Sequence, residues 1–416
     1  MRALPLLLLA ASCAPKLPVP SSADGAVENP LLLWRVEKAG HTSHLLGTCH
    51  VGVSLDYALP KPHDAALDRA RVVYTEAELN MDDIGGLVGL LWTAGPGLST
   101  RISEDRWRAV AYAVRDTLPA PLFEHLEPWA LATIIPMATT TGGMDGFTKG
   151  SMDVEVQKRA KARRIEVRHV ETMAEQAALL SAWNDTFLES IGPTTTDTGS
   201  AANDALTALC MRADLTTADL ILDADDPISE ALLPARNRAW MPKLLPALAE
   251  GDAFVAVGAA HMLGESGLVA LLQAEGFTVS QLTTTRPFTT DRMPPSSADI
   301  PPAPPVPAGL DATIRAFSTT IGAAMCADGQ LMRTCFEPDL ARCTTRLTTD
   351  AALCARQHAD RLPAEGEPFP PALAQELAAC APVGMVLEAV GQDRVGDGPL
   401  CDVIKGAMKG AMNKAR

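Results

Sequence analysis

The chain has 416 residues, 47% hydrophobic and 20% charged, with a formal net charge of −15 at pH 7. That length holds one large domain or two ordinary ones, and the acidic balance without a basic patch excludes a nucleic-acid-binding surface. The apolar run at residues 3–12 is too short to span a bilayer. It follows Arg2 and ends in Leu9-Ala10-Ala11-Ser12-Cys13, which reads as a signal peptide over residues 1–13 of the lipoprotein type, with Cys13 as the lipidated residue. Simple secretion and a cytosolic location are the alternatives. Residues 14–28 are rich in Pro and Ser and read as a flexible tether.

Residues 29–286 hold all six Trp and form the main domain. Its predicted strands are 31–37, 43–47, 72–77, 165–170, 253–258 and 278–282. Its predicted helices are 104–117, 128–139, 153–162, 173–190, 201–213 and 230–249, the last broken into pieces by Pro234, Pro242 and Pro246. Strands separated by helices give an α/β fold with a central mixed or parallel sheet, and residues 184–251 form a helical insertion over it. The Gly-rich apolar stretch at 84–98 reads as a buried packing segment, with a mobile lid or a membrane-facing patch as the alternative, and 190–203 as an exposed loop. Residues 287–308, with Pro301-Pro302-Ala303-Pro304-Pro305, read as a stiff linker.

Residues 309–416 carry six of the nine Cys: Cys326, Cys335, Cys343, Cys354, Cys380 and Cys401. Only three aromatics, Phe317, Phe336 and Phe369, accompany them. A core that poor needs staples, so this is a small disulfide-rich, mainly helical domain formed in an oxidising compartment. No C-x-x-C occurs, which disfavours zinc. The tail, with Met408 and Met412 one turn apart, reads as a docked helix or a contact with anionic lipid.

Two strings carry the chemistry. Gly47-Thr48-Cys49-His50 and Gly258-Ala259-Ala260-His261 are both Gly-x-x-His, and each ends an apolar run. The carboxyl edge of a parallel sheet is where α/β folds build sites, so two strands each aim one imidazole at one site. Paired imidazoles suit a divalent metal such as Zn, Mn or Co, and a carboxylate is needed beside them. Glu76, at the end of 72–77, is the first candidate, and Glu78 shares its parity. His44 has the parity of His50. Asp153 opens a helix, as an N-cap or a site acid. Glu171 follows the strand 165–170, as a site acid or a helix-start residue. Arg236 and Asn237 form a pair able to clamp a carboxylate or carbonyl, although Arg236 also suits a surface. Cys49 raises a thiol-nucleophile reading, which the opposite facing of adjacent strand residues disfavours. No G-x-S-x-G, H-E-x-x-H or P-loop is present.

Over residues 30–285 the chain resembles the TraB/GumN/Tiki family. The resemblance rests on Leu33-Trp34-Arg35-Val36, His44-Leu45-Leu46-Gly47-Thr48-Cys49-His50 and Val72-Val73-Tyr74-Thr75-Glu76. It continues in Met152-Asp153, Glu171, Arg236-Asn237 and the stretch from Val255 to Gly264. It implies a central sheet with helical insertions and metal-dependent peptidase chemistry. His50, His261 and Glu76 would hold the metal, and Glu76, Arg236, Asn237 and Asp153 would serve catalysis. The expected function is a metal-dependent hydrolase acting on a peptide or small molecule in the bacterial cell envelope, as an outer-membrane lipoprotein or in the periplasm. A non-catalytic protein that captures such a ligand is the alternative. A membrane contact is expected only through the lipid anchor, and the Cys-rich domain is a candidate module for a protein partner.

Overall fold

The computed structural model describes residues 28–49, 53–78, 89–93, 95–132, 152–191, 209–217, 227–285, 309–391 and 394–414. The signal peptide, nearly all of the tether, the 287–308 linker and His50 lie outside these. So do residues 84–88 of the Gly-rich stretch, the loop at 192–203 and the predicted helical residues 133–139 and 201–208.

Six strands form one mixed sheet: β1 (Asn29–Lys38), β2 (His41–Thr48), β3 (Val72–Thr75), β4 (Glu166–His169), β5 (Ala253–Gly258) and β6 (Thr278–Thr284). Their order across the sheet is β4-β3-β5-β2-β1-β6. β3 is parallel to both β4 and β5, and β5 to β2. β1 is antiparallel to β2 and to β6. The β1–β2 hairpin turns on Ala39 and Gly40, both at positive φ, and two such residues match the right-handed twist of the flanking strands. All six residues of β5 are buried, as expected for a central parallel strand covered on both faces. Phe254, Val255 and Val257 are fully buried there, each stabilising the fold by roughly 1.5–3 kcal/mol.

This order puts the carboxyl ends of β4, β3, β5 and β2 side by side. Thr48 pairs with Gly258, so the two Gly-x-x-His strings leave neighbouring strands only one residue out of step. Gly47 is required by its surroundings: a Cβ there would lie 3.1 Å from Ala259 Cα and 3.3 Å from Ala259 Cβ. Its role is close approach to the chain leading to His261.

The predicted strands all form, but β3 stops at Thr75, so Glu76 stands just beyond it. The 230–249 region differs more. A helix at Pro227–Leu232 ends at Leu233, and Pro234–Glu250 then runs unbroken through Pro242 and Pro246. Pro234 sits in the first turn, where a missing N–H costs nothing. Pro242 and Pro246 are exposed, as is Arg238. The two carbonyls they leave without helical donors, on Arg238 and Pro242, therefore belong to the solvated face.

The chain divides into two compact units: residues 1–79, 132–190 and 194–300, and residues 80–131, 191–193 and 301–416. The second unit is helical and includes 80–131, which the sequence reading placed in the α/β domain. The reason is visible at buried Gln357. Its Oε1 accepts from Ala120 N at 2.8 Å, and its Nε2 donates to Leu118 O at 2.8 Å and Ala111 O at 3.2 Å. The six C-terminal cysteines pair as Cys326–Cys343, Cys335–Cys401 and Cys354–Cys380. They staple a small core in which Phe317 stacks on Phe369 at 4.8 Å.

Candidate active site

Five of the expected residues meet at the carboxyl edge of the sheet. Glu76 leaves β3 and crosses to β5, where its Oε1 accepts from Gly258 N at 2.7 Å. Its Oε2 accepts from Arg236 Nη2 at 2.7 Å and from Gln176 Nε2 at 3.1 Å. Glu171, just past β4, is the second acid. Its backbone N–H donates to Glu76 O at 2.9 Å, which sets the two carboxylates side by side. Arg236, in the first turn of Pro234–Glu250, donates to both oxygens of Glu171, from Nε at 3.2 Å and also from Nη2.

His261 follows β5 in a short 3-10 turn, Ala259–Met262, and is buried. Asn237 fixes its tautomer. The Asn237 Nδ2 donates to His261 O at 3.2 Å and Ser266 O at 2.9 Å. Its Oδ1 must then accept from the His261 Nδ1–H, 2.7 Å away. That leaves the Nε2 lone pair of a neutral imidazole turned into the cluster. There it accepts from Arg236 Nη1 at 3.3 Å and lies 3.6 Å from Glu76 Oε1.

The side chains of Glu76, Glu171 and Arg236 are 13%, 11% and 15% exposed. Two carboxylates and a guanidinium share this poorly hydrated place, where a buried charge is tolerated only when it is paired and hydrogen-bonded. Burial acts to lower the pKa of Arg236, but Glu76 and Glu171 outweigh it and hold the pKa above its ordinary value. Trp240 closes the cluster. Its ring lies 4.4 Å from the His261 ring, its Nε1 donates to Glu171 Oε2 at 3.1 Å, and the Arg236 guanidinium sits 4.8 Å over it.

Asp153 stands beside this group. It accepts from Thr48 Oγ1 at 2.7 Å and so ties the first Gly-x-x-His string to the helix Met152–Ala162. One turn on, Gln157 Nε2 donates to Ala77 O at 3.2 Å, tying the exit of β3 to the same helix. The N-cap reading of Asp153 thus gives way to a cross-link. Cys49 is bonded to Cys210, which removes the thiol that a nucleophile needs. Glu78 turns outward to Lys161 at 3.4 Å. His44 sits within β2 opposite Arg35 and Phe254, its pKa lowered by burial first and by Arg35 next.

Sequence reading missed Trp240, Gln176 and the Thr48–Asp153 bond. Trp240 had a signal: it lies four residues after Arg236, hence on the same helix face. Gln176 had none, since its meeting with Glu76 spans 100 residues. Among the described residues no group of three or more His, Cys, Asp or Glu is arranged to hold a metal ion. The expected third ligand, His50, lies outside them.

The model of the TraB/PrgY/gumN family matches residues 32–281, more than half of the chain. The chain is similar to the uncharacterized protein YbaP of Shigella flexneri, 26% identical over 236 residues, which is 56% of this chain and 88% of that one. It is equally similar to YbaP of Escherichia coli strain K12, 26% identical over 235 residues, or 55% and 87% of the two chains. No solved structure matches.

Proposed function

The chain belongs to the TraB/PrgY/gumN family, and we propose that it is a metal-dependent hydrolase of the cell envelope that cleaves a peptide at the carboxyl edge of the sheet. One observation carries this reading: Asn237 turns the His261 Nε2 lone pair toward Glu76, in a buried cluster that holds a second carboxylate, Glu171. A neutral imidazole beside a carboxylate is the donor chemistry that a divalent ion takes. Nε2 and Glu76 Oε1 lie 3.6 Å apart, with Nε2 also facing Arg236 Nη1 and Oε1 accepting from Gly258 N. His261, Glu76 and His50 would hold the ion. Bound there, such an ion would supply Lewis-acid polarisation of a scissile carbonyl and would acidify a water.

The chain's own residues do the rest. Asn237 holds the imidazole in the tautomer that a ligand needs. Glu76, beside the His261 Nε2, would serve as ligand, and Glu171 next to it as proton acceptor. Arg236 clamps a substrate carboxylate or a developing oxyanion, and Asp153 holds the strand end before His50 through Thr48. The peptide class rests on the resemblance to Tiki-type members. An exported location is supported by four disulfides, which persist in oxidising compartments. Lipid attachment at Cys13 and a partner for the Cys-rich unit belong to the same proposal.

The test is incubation of the purified chain, with Mn, Co or Zn added, with a defined peptide mixture read by mass spectrometry. Metal-dependent cleavage that disappears in Glu76→Gln and Glu171→Gln is the expected result. Peptides that bind and are recovered intact would instead establish capture without turnover.

A further inference from the structure

β1 runs against β2, so its amino end lies beside the carboxyl end of β2, with Leu33 opposite Leu46. β6 also ends there, with Thr284 opposite Asn29. At these strand ends lies a pocket of about 370 Å³, its open side included, whose lining includes Leu31, Cys49, Tyr57, Ala58, Met152 and Met211. All six are buried. The half-buried members of the lining are Pro30, Cys210 and Thr284. Every one of these residues belongs to the α/β unit. The wall at 209–213 is fastened twice: Cys210 is bonded to Cys49, and Tyr57 Oη donates to Met211 O at 3.0 Å. Ala213 in that wall has a φ of 51°, a left-handed conformation that its surroundings must enforce. Met152 is held in turn by the Cys49 N–H, which donates to its Sδ at 3.4 Å. The pocket is therefore shaped before anything enters it, which lowers the cost of binding.

We propose that this pocket seats one aliphatic side chain of a peptide bound along the carboxyl edge of the sheet. The inference rests on the peptide reading above, and it needs neither turnover nor a metal ion. The walls set the chemistry. They are aliphatic carbon, two thioethers and a disulfide, with the Tyr57 hydroxyl turned to Met211 O. Such walls offer water or a charged group few partners and reward an apolar one. The volume sets the size: it stands at the small end for a ligand pocket, so it takes one side chain rather than a whole ligand. The strand order sets the position. Glu76 and His261 follow β3 and β5, and the amino end of β1 lies two strands beyond β5. At about 4.8 Å per strand that is roughly 10 Å, and an extended peptide advances about 3.3 Å per residue. The seated residue thus lies about three positions from the group held at the cluster. The Cys49–Cys210 disulfide becomes part of the wall of this subsite as well as a staple.

The test is a titration of the full chain, labelled with carbon-13 at its methionine methyls, followed by nuclear magnetic resonance. The probes are capped penta-alanine peptides whose central residue is alanine, valine or aspartate. Valine adds two carbons to alanine, so its peptide should bind about ten-fold more tightly and shift the methyl signals of Met152 and Met211. The aspartate peptide should shift neither. Ala58→Leu fills the pocket and should abolish the preference for valine. Met211→Ala enlarges it and should turn the preference to a leucine peptide. Circular dichroism checks the fold of each variant, and if Ala58→Leu does not fold, Met211→Ala decides. Wild type that binds none of the peptides, or valine and alanine alike, overturns the inference, as does an unchanged preference in a folded Ala58→Leu or Met211→Ala. The methyl shifts need no turnover. A chain that shows them yet cleaves no peptide keeps the subsite and loses the hydrolase reading, whereas cleavage without the valine preference does the reverse.

Discussion

Replacing Asn237 with alanine separates an organised metal ligand from an ordinary buried histidine. Asn237 makes three hydrogen bonds: to His261 Nδ1 at 2.7 Å, to His261 O at 3.2 Å and to Ser266 O at 2.9 Å. At about 1 kcal/mol each, their loss should cost about 3 kcal/mol of stability. The imidazole also becomes free to rotate and to exchange tautomers. Loss of such an outer partner weakens metal binding by roughly 10- to 100-fold. Asn237→Asp provides the contrast. It keeps an acceptor for the Nδ1–H, so the tautomer survives, but it cannot donate to the two carbonyls. Its stability should fall while its affinity for Mn or Zn stays within a few-fold of wild type. Urea denaturation and metal titration on both variants read the two effects separately. An Asn237→Ala chain that binds metal as wild type does would refute the reasoning, as would an Asn237→Asp chain that loses binding to the same degree.

Asp350 in the helical unit gives a pH test. It is 1% exposed, and burial first, with Glu124 and Glu388 adding to it, pushes its pKa from 3.8 to about 6 despite Arg346. The folded state therefore holds this proton more tightly than the unfolded state. The contribution is fully present below about pH 4 and is lost as pH rises through 6, about 3 kcal/mol in all. Asp350→Asn lacks it, so wild-type stability relative to the variant, from denaturant curves, should fall by about that amount between pH 4 and pH 8; an unchanged difference would contradict the burial argument. His125, whose pKa burial lowers to about 4, titrates in both chains and cancels. At Gly47, a valine meets Ala259 at close range and should cost roughly 1–3 kcal/mol and disturb His261, seen as lowered metal affinity. Cys49→Ser with Cys210→Ser opens a cross-link of sequence separation 161, and chain entropy sets its stability loss at up to about 5 kcal/mol, read by denaturation against the wild type under non-reducing conditions.

Much of the fold was legible because the strands of the α/β unit are short apolar runs bounded by turn residues. The runs at 253–258 and 43–47 announce their strands, and each ends in Gly followed by a His. What local pattern cannot convey is order. That β5, 205 residues beyond β2, inserts between β2 and β3 depends on long-range pairing. The site followed the same divide. Glu76, Arg236, Asn237 and His261 stood out by type and position. Glu171 was balanced between two roles until its carboxylate met Arg236 and Trp240. Cys49 looked like a lone thiol because its partner, Cys210, lies 161 residues away. Pro242 and Pro246 misled because local rules penalise proline in a helix without knowing which face is solvated. The grouping of 80–131 with the C-terminal segment turns on the buried Gln357 side chain, which nothing in its own neighbourhood marks as a cross-link.

The measurement that tests the central claim most directly is the metal content of the purified chain by elemental analysis, after loading with Mn, Co or Zn and exhaustive dialysis. The comparison is wild type against the double variant His50→Ala, His261→Ala, with circular dichroism to confirm that both are folded. The account predicts about one divalent ion per wild-type chain and none in the folded variant. A wild-type chain that retains no ion, or a variant that retains as much as wild type, would contradict it.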